Sequence, residues 1–298
     1  MIRSALLSAR PIRLLLPAVL APCVVGGPLV AGAAEWLGPS AIRASADGKH
    51  LFVACRDANQ VLIIDAASGA VAGQIPMPAF PSAMTLSPDG KLLYVTCAAP
   101  KSTVAVIDTE KKEIVDSIPA GHFATGVAVT PDNSKLYVCN RFNHEVVVID
   151  RATKEQVAKI AVIREPHGVV CSPDGGSVFV INHLPLDPAD GFNVAIEVAV
   201  INTADNQVKN IRLPNGSTNV RDIAMSPDGK YVYVPHILAR YQMPTTQLER
   251  GWMNTNALSI IDAVEKKHVN TVLLDDVDLG AANPWGIATN GDGSLICV

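Results

Sequence analysis

The sequence predicts an all-β fold, a β-propeller of four-stranded antiparallel blades. Three observations carry this: a turn signature that returns at a near-constant interval, four short apolar runs within each interval, and no helical periodicity to compete with them. Of the 298 residues, 49% are hydrophobic and 17% charged, enough apolar side chain for a core and too little charge for a disordered chain.

The first segment is set apart from the repeats. Arg3, Arg10 and Arg13 precede the apolar run 14–20, and small residues follow to Ala33 and Ala34. This is the order of a secretory signal, so residues 1–34 are expected to be removed and 35–298 to form the propeller in the periplasm or outside the cell. The uncharged stretch 14–34 has the length of a membrane span, but Pro17, Pro22 and Pro28 with Gly26, Gly27 and Gly32 oppose a stable helix there. No span is expected once the signal is gone. The whole chain carries a net charge of −4 and the leader contributes only arginines, so the remainder is more acidic still and nucleic acid is not an expected partner.

The turn signature appears as Ser45, Asp47 and Gly48; Ser87, Asp89 and Gly90; Thr130, Asp132 and Asn133; Ser172, Asp174 and Gly175; Ser226, Asp228 and Gly229; and Asn290, Asp292 and Gly293. Successive aspartates are 42, 43, 42, 54 and 64 residues apart, which gives five complete units and part of a sixth. In the third unit, runs at 126–129, 136–138, 146–149 and 156–160 supply the four strands. One such sheet cannot bury both faces, so blades must stack around an axis. The sequence stops within the second strand of unit six. A ring ending there would expose a sheet edge, so the expectation is a truncated seven-bladed ring whose chain continues.

Five cysteines follow the leader, at positions 55, 97, 139, 171 and 297, with no C-x-x-C spacing for a c-type haem or zinc ribbon. They read as small buried hydrophobes on strands. Asp65, Asp108, Asp150 and Asp262 repeat in the ordinary blades and read as turn residues.

The runs Leu93, Tyr94, Val95, Thr96 and Val104, Ala105, Val106, Ile107, Asp108 resemble the YVTN-type β-propeller repeat, over about residues 39–298. The resemblance implies the fold. It leaves function open, because similar propellers serve as surface-layer proteins, lactonase-like enzymes and modules joined to haem proteins. Where the family pattern has asparagine after Tyr-Val-Thr, this chain has Cys55, Cys97, Asn140, Asn182 and His236.

The repeat register points to one face. From the turn aspartate to the residue closing strand three, units one to three count 18, 19 and 18 residues, but units four and five count 28 and 34. The extra length falls between strands two and three, at about 182–193 and 236–256, and long loops on a rigid scaffold are where binding resides. Seven residues before each turn aspartate, near the channel mouth on that same face, stand Ser40, Ser82, Thr125, His167, Arg221 and Trp285. The first three are small and the last three functional in type.

The candidate ligand- or partner-binding residues are therefore His167, Arg221 and Trp285, with His183, His236, Arg240, Tyr241, Gln247, Arg250 and Trp252 from the two insertions. Each has an ordinary alternative: His167 as a turn residue, His183 and His236 as solvated strand ends, Arg221 paired with Asp222 or with the acidic link Asp275, Asp276 and Asp278. The leading expectation is an exported scaffold binding a protein partner, a C-terminal companion domain or a small molecule through this face. A lactonase-like hydrolase using His167 in the channel and an electron-transfer module are the alternatives. His167 and His236 are the metal candidates. No cofactor is evident in this chain; the unit-five loop is similar to one in long exported propellers with a di-haem peroxidase-like domain, which implies haem in a longer protein, while the hydrolase alternative implies a divalent metal.

Overall fold

The computed structural model describes residues 36–188, 190–239, 242, 254–275 and 283–298. The leader 1–34 lies outside the described residues, as do Arg240, Tyr241, Gln247, Arg250, Trp252, Asp276 and Asp278. No described helix is long and apolar enough to cross a membrane.

Five four-stranded antiparallel sheets follow one another in a ring, with a two-stranded sixth. Blade one is Pro39–Ala44, His50–Cys55, Gln60–Asp65 and Val71–Pro76; blade two is Phe80–Leu86, Leu92–Ala98, Ser102–Asp108 and Glu113–Gly121. Blade three is Ala124–Val129, Lys135–Asn140, Glu145–Asp150 and Gln156–Ala161; blade four is Pro166–Cys171, Ser177–Asn182, Glu197–Asn202 and Val208–Arg212. Blade five has its first strand in two pieces, Ser217–Thr218 and Ala224–Met225, then Tyr231–Ala239, Asn254–Asp262 and Lys267–Leu273. Ala288–Thr289 and Ile296–Cys297 form the partial sixth.

Strand one of each of the first three blades lies beside strand one of the next, as does that of blade five beside the sixth sheet. Period-two alternation then decides the packing. In strand two of blade two, Leu93 and Val95 face blade one while Tyr94 faces blade three, so each apolar cluster belongs to a pair of blades and not to one sheet. Strand four is outermost and leaves Val71, Val115 and Val157 exposed.

The turn signature has a physical cause. The serine or threonine Oγ donates to the aspartate, as Ser87 does to Asp89 Oδ1, and accepts the N–H that opens strand two, as from Leu92 at 2.9 Å. The glycine sits at φ near 70°, and Asn133 takes the same left-handed place at 58°. Asp65, Asp108, Asp150 and Asp262 each cap the next turn through backbone N–H groups. Cys55, Cys97 and Cys139 are buried at strand-two ends, and the described cysteines form no disulfide.

One expectation needs correction. Strand two of blade five does not end at His236: it runs to Ala239, with Ile237 paired to Asn256, Leu238 to Thr255 and Ala239 to Asn254. Val232 and Val234 are buried in the core and Ile237 is buried beyond them, and the hairpin runs past the length of its neighbours, so about six residues assigned to the loop are strand.

Candidate functional site: a rim of bulges, aromatics and cations

In blades one to four the residue seven before the turn aspartate is special because it lies in a β-bulge. Pro39 pairs with Cys55 and Ala41 with Ala54, so Ser40 is skipped; Ser82 is skipped in the same way between Pro81 and Ala83, and His167 between Pro166 and Gly168. A bulge re-aims the side chain it frees. Here it aims at the next blade: Ser40 donates to the Pro81 carbonyl at 2.8 Å, Ser82 to Ala124 at 2.8 Å and Thr125 to Pro166 at 3.0 Å. In blades one to three this column is a set of inter-blade clasps.

Blade four breaks the pattern. The equivalent carbonyl on blade five, Val220, receives its hydrogen bond from His183 Nδ1 at 3.2 Å, and His167 lies against the Arg221 backbone instead. The two imidazole rings are 6.0 Å apart, inclined by 37°. Burial of the His167 ring, then the charges of His183 and Arg141, push its pKa down to about 4, so it is neutral near pH 7.

In blade five the bulge widens into residues 219–223, opposite Pro235, which has no N–H to give strand one. The widened bulge carries Arg221. Its Nε donates to Asn219 Oδ1 at 3.1 Å, and its guanidinium carbon lies 3.9 Å from the centre of the Trp285 ring, which is 60% exposed. The expected pairing of Arg221 with Asp222 is not made. Asp222 accepts the N–H groups of Ile223 and Ile287 and so ties blade five to the sixth sheet; burial raises its pKa, with Arg43 acting against the rise.

A second column, nine residues before the turn aspartate, holds Gly38, Phe80, Phe123, Glu165 and Asn219. Phe123 and Glu165 take φ of 47° and 53°, a strained choice for such side chains. Their carbonyls accept the N–H groups of Arg141 and His183, which follow strand two. Across three blades this builds a band: Arg56 over Phe80 at 4.8 Å, Phe80 near Phe123 at 6.4 Å, Phe123 edge-on to Phe142 at 5.1 Å, and Arg141 over Phe142 at 5.2 Å. Arg141 also gives two hydrogen bonds to Glu165 Oε2, at 2.9 and 2.7 Å. Reading the column at minus nine as well as minus seven would have found Phe80, Phe123 and Glu165; Arg56, Arg141 and Phe142 follow from it.

The insertion of blade four is held by Arg212, which bridges Asp187 at 2.6 Å and Glu197 at 3.3 Å, and it leaves Leu186 and Phe192 exposed. Gln242, from the blade-five insertion, donates to the Phe192 carbonyl, so the two insertions touch. His236 belongs elsewhere. It is fully buried inside blade five with Nδ1 on the Ile237 carbonyl and Nε2 on Ser259 Oγ at 2.8 Å, and burial pushes its pKa down to about 4. The structure thus brings His167, His183, Arg221 and Trp285 together and seats the His236 ring on Ile237 and Ser259 within blade five. No group of three or more His, Cys, Asp or Glu among the described residues could hold a metal.

Comparison with known proteins agrees with this architecture. The model of the YNCE-like beta-propeller family matches residues 100–177. A solved chain of Kuenenia stuttgartiensis hydrazine synthase superposes with a TM-score of 0.76 at 30% identity, over 91% of this chain and 76% of that one. This protein is a β-propeller. Hydrazine synthase subunit beta from the same organism is 30% identical over 113 residues, which make up 38% of this chain and 29% of that subunit. The aligned stretch therefore spans less than a third of that relative.

Proposed function

We propose that this propeller is an exported scaffold that docks a protein partner, or a companion domain, on its loop-rich face. The observation that carries the reading is the band from Arg56 to Phe142 continuing into the His183, Arg221 and Trp285 cluster, all on the face opposite the turn signature. Aromatic residues and arginine are the side chains that dominate interface energetics, because they bury large areas and keep a polar end. The similarity to a protein named as a subunit supports a role within an assembly. The leader supports export. A channel hydrolase draws less support: the acid in the cluster, Glu165, commits Oε2 to Arg141.

Photo-crosslinking in the producing cell tests the reading. A crosslinking amino acid at Phe142 or Phe192 is expected to capture a discrete protein, while one at Lys49 or Lys91, beside the turn signature, captures none. Crosslinks confined to the lysine positions would overturn it.

A further inference from the structure

We infer that the end of the Arg221 guanidinium, between Trp285 and the His167–His183 pair, is a carboxylate-binding site. The inference rests on the docking reading of this face and names the chemistry that the face recognises.

The charge balance of the cluster points to an anion. Burial and then the nearby Arg141 charge lower the pKa of Arg221, and the charges of both arginines act against protonation of His167. Of the nearby acids, Glu165 is held by Arg141 through two bonds, and Asp222 is spent on the backbone N–H groups of Ile223 and Ile287. Arg221 has no carboxylate partner among the described residues: its Nε is used by the neutral Asn219, and its flat face by Trp285. A partly buried guanidinium with a like charge nearby and no counter-charge is stabilised by any anion that reaches it.

Geometry narrows the anion. With Nε engaged and one face covered by the indole, the two terminal amino groups remain as a planar fork, which matches the two oxygens of a carboxylate. The histidines bound the site without supplying its charge: His183 spends its Nδ1 hydrogen on Val220, and His167 is kept neutral beside it. The anion is thus held by the guanidinium fork. The carboxylate can belong to a free small acid or to an Asp or Glu side chain of the docked partner.

Calorimetric titration of the full chain at pH 7.5 and fixed ionic strength tests this with three probes: succinate, a short peptide rich in Asp and Glu, and inorganic phosphate. Saturable binding of succinate assigns a free acid, and binding of the peptide alone assigns a partner's side chain. In either case Arg221→Gln is expected to weaken binding at least tenfold, and Arg221→Lys, which keeps the charge but loses the fork, at least threefold. Trp285→Ala, at an exposed ring, supplies the test if the Arg221 variants fail to fold, with an expected loss of threefold or more. Silence of both carboxylate probes, binding of phosphate without them, or full binding by a folded variant would overturn the inference. Crosslinking at Phe142 that survives such a result leaves the docking reading standing, and carboxylate binding without any crosslinked partner leaves only the site.

Discussion

His183 donates its Nδ1 hydrogen to the Val220 carbonyl of the next blade, filling the place that a bulge hydroxyl fills in the three blades before it. The fold therefore keeps its inter-blade clasp while releasing the bulge residue, His167, from that duty. This exchange links the packing of the ring to the chemistry of its rim.

The clasps predict a graded loss of stability. Ser82 reaches Ala124 and also Thr96 Oγ1 at 2.9 Å, so Ser82→Ala removes a bridge within a buried network. A loss of about 1–2 kcal/mol is expected by denaturant unfolding. His183→Ala is expected to cost a similar amount and to raise hydrogen exchange at the junction of blades four and five. Exchange unchanged there would argue against the clasp.

The environment of His167 predicts its titration. Wild-type imidazole signals in NMR should place this ring near pH 4, well below the ordinary 6.5. Arg141→Gln removes a positive neighbour and frees the Glu165 carboxylate, and both changes favour the protonated ring. The pKa of His167 is expected to move upward in that variant, while His236, inside blade five, stays put.

The buried histidines also set an acid limb of stability. His236 has a folded pKa of about 4 against 6.5 for a free side chain, so the unfolded chain binds its proton more readily. Stability is complete above pH 6.5 and falls as the pH drops toward 4, by roughly 3 kcal/mol for one such group. Chemical denaturation followed across this range should show the slope, and His236→Gln, which cannot titrate, should flatten it.

A second limb lies lower. Asp132 accepts Thr130 Oγ1, Ser134 Oγ and the Ser134 N–H, which hold its carboxyl down to about 2 against the usual 3.8. Its contribution is present above pH 3.8 and lost as the pH falls through 2. Asp132→Ala is expected to lower the melting temperature at pH 6 and to converge on wild type near pH 2. A constant difference at both values would show that the carboxylate charge is not what closes the turn.

Much of this protein was legible in its residues. The serine, aspartate and glycine of each turn are local: hydrogen bonds between neighbours and one left-handed φ make the hairpin, and alternation beside it makes the strands. The blade count and the exceptional places of His167, Arg221 and Trp285 followed from spacing alone. The extent of the blade-five hairpin was not readable, since pairing of Ile237 with both Thr218 and Asn256, residues distant in sequence, and no local signal, extends it past His236. Nor was the partner of Arg221, because Trp285 is 64 residues away and reaches it only when the sixth sheet lies against blade five. Sequence order fixed which side chains each blade carries. Only the ring, by bringing bulge, insertion and neighbouring blade to one rim, decided which of them meet, because burial and charge act through space and not along the chain.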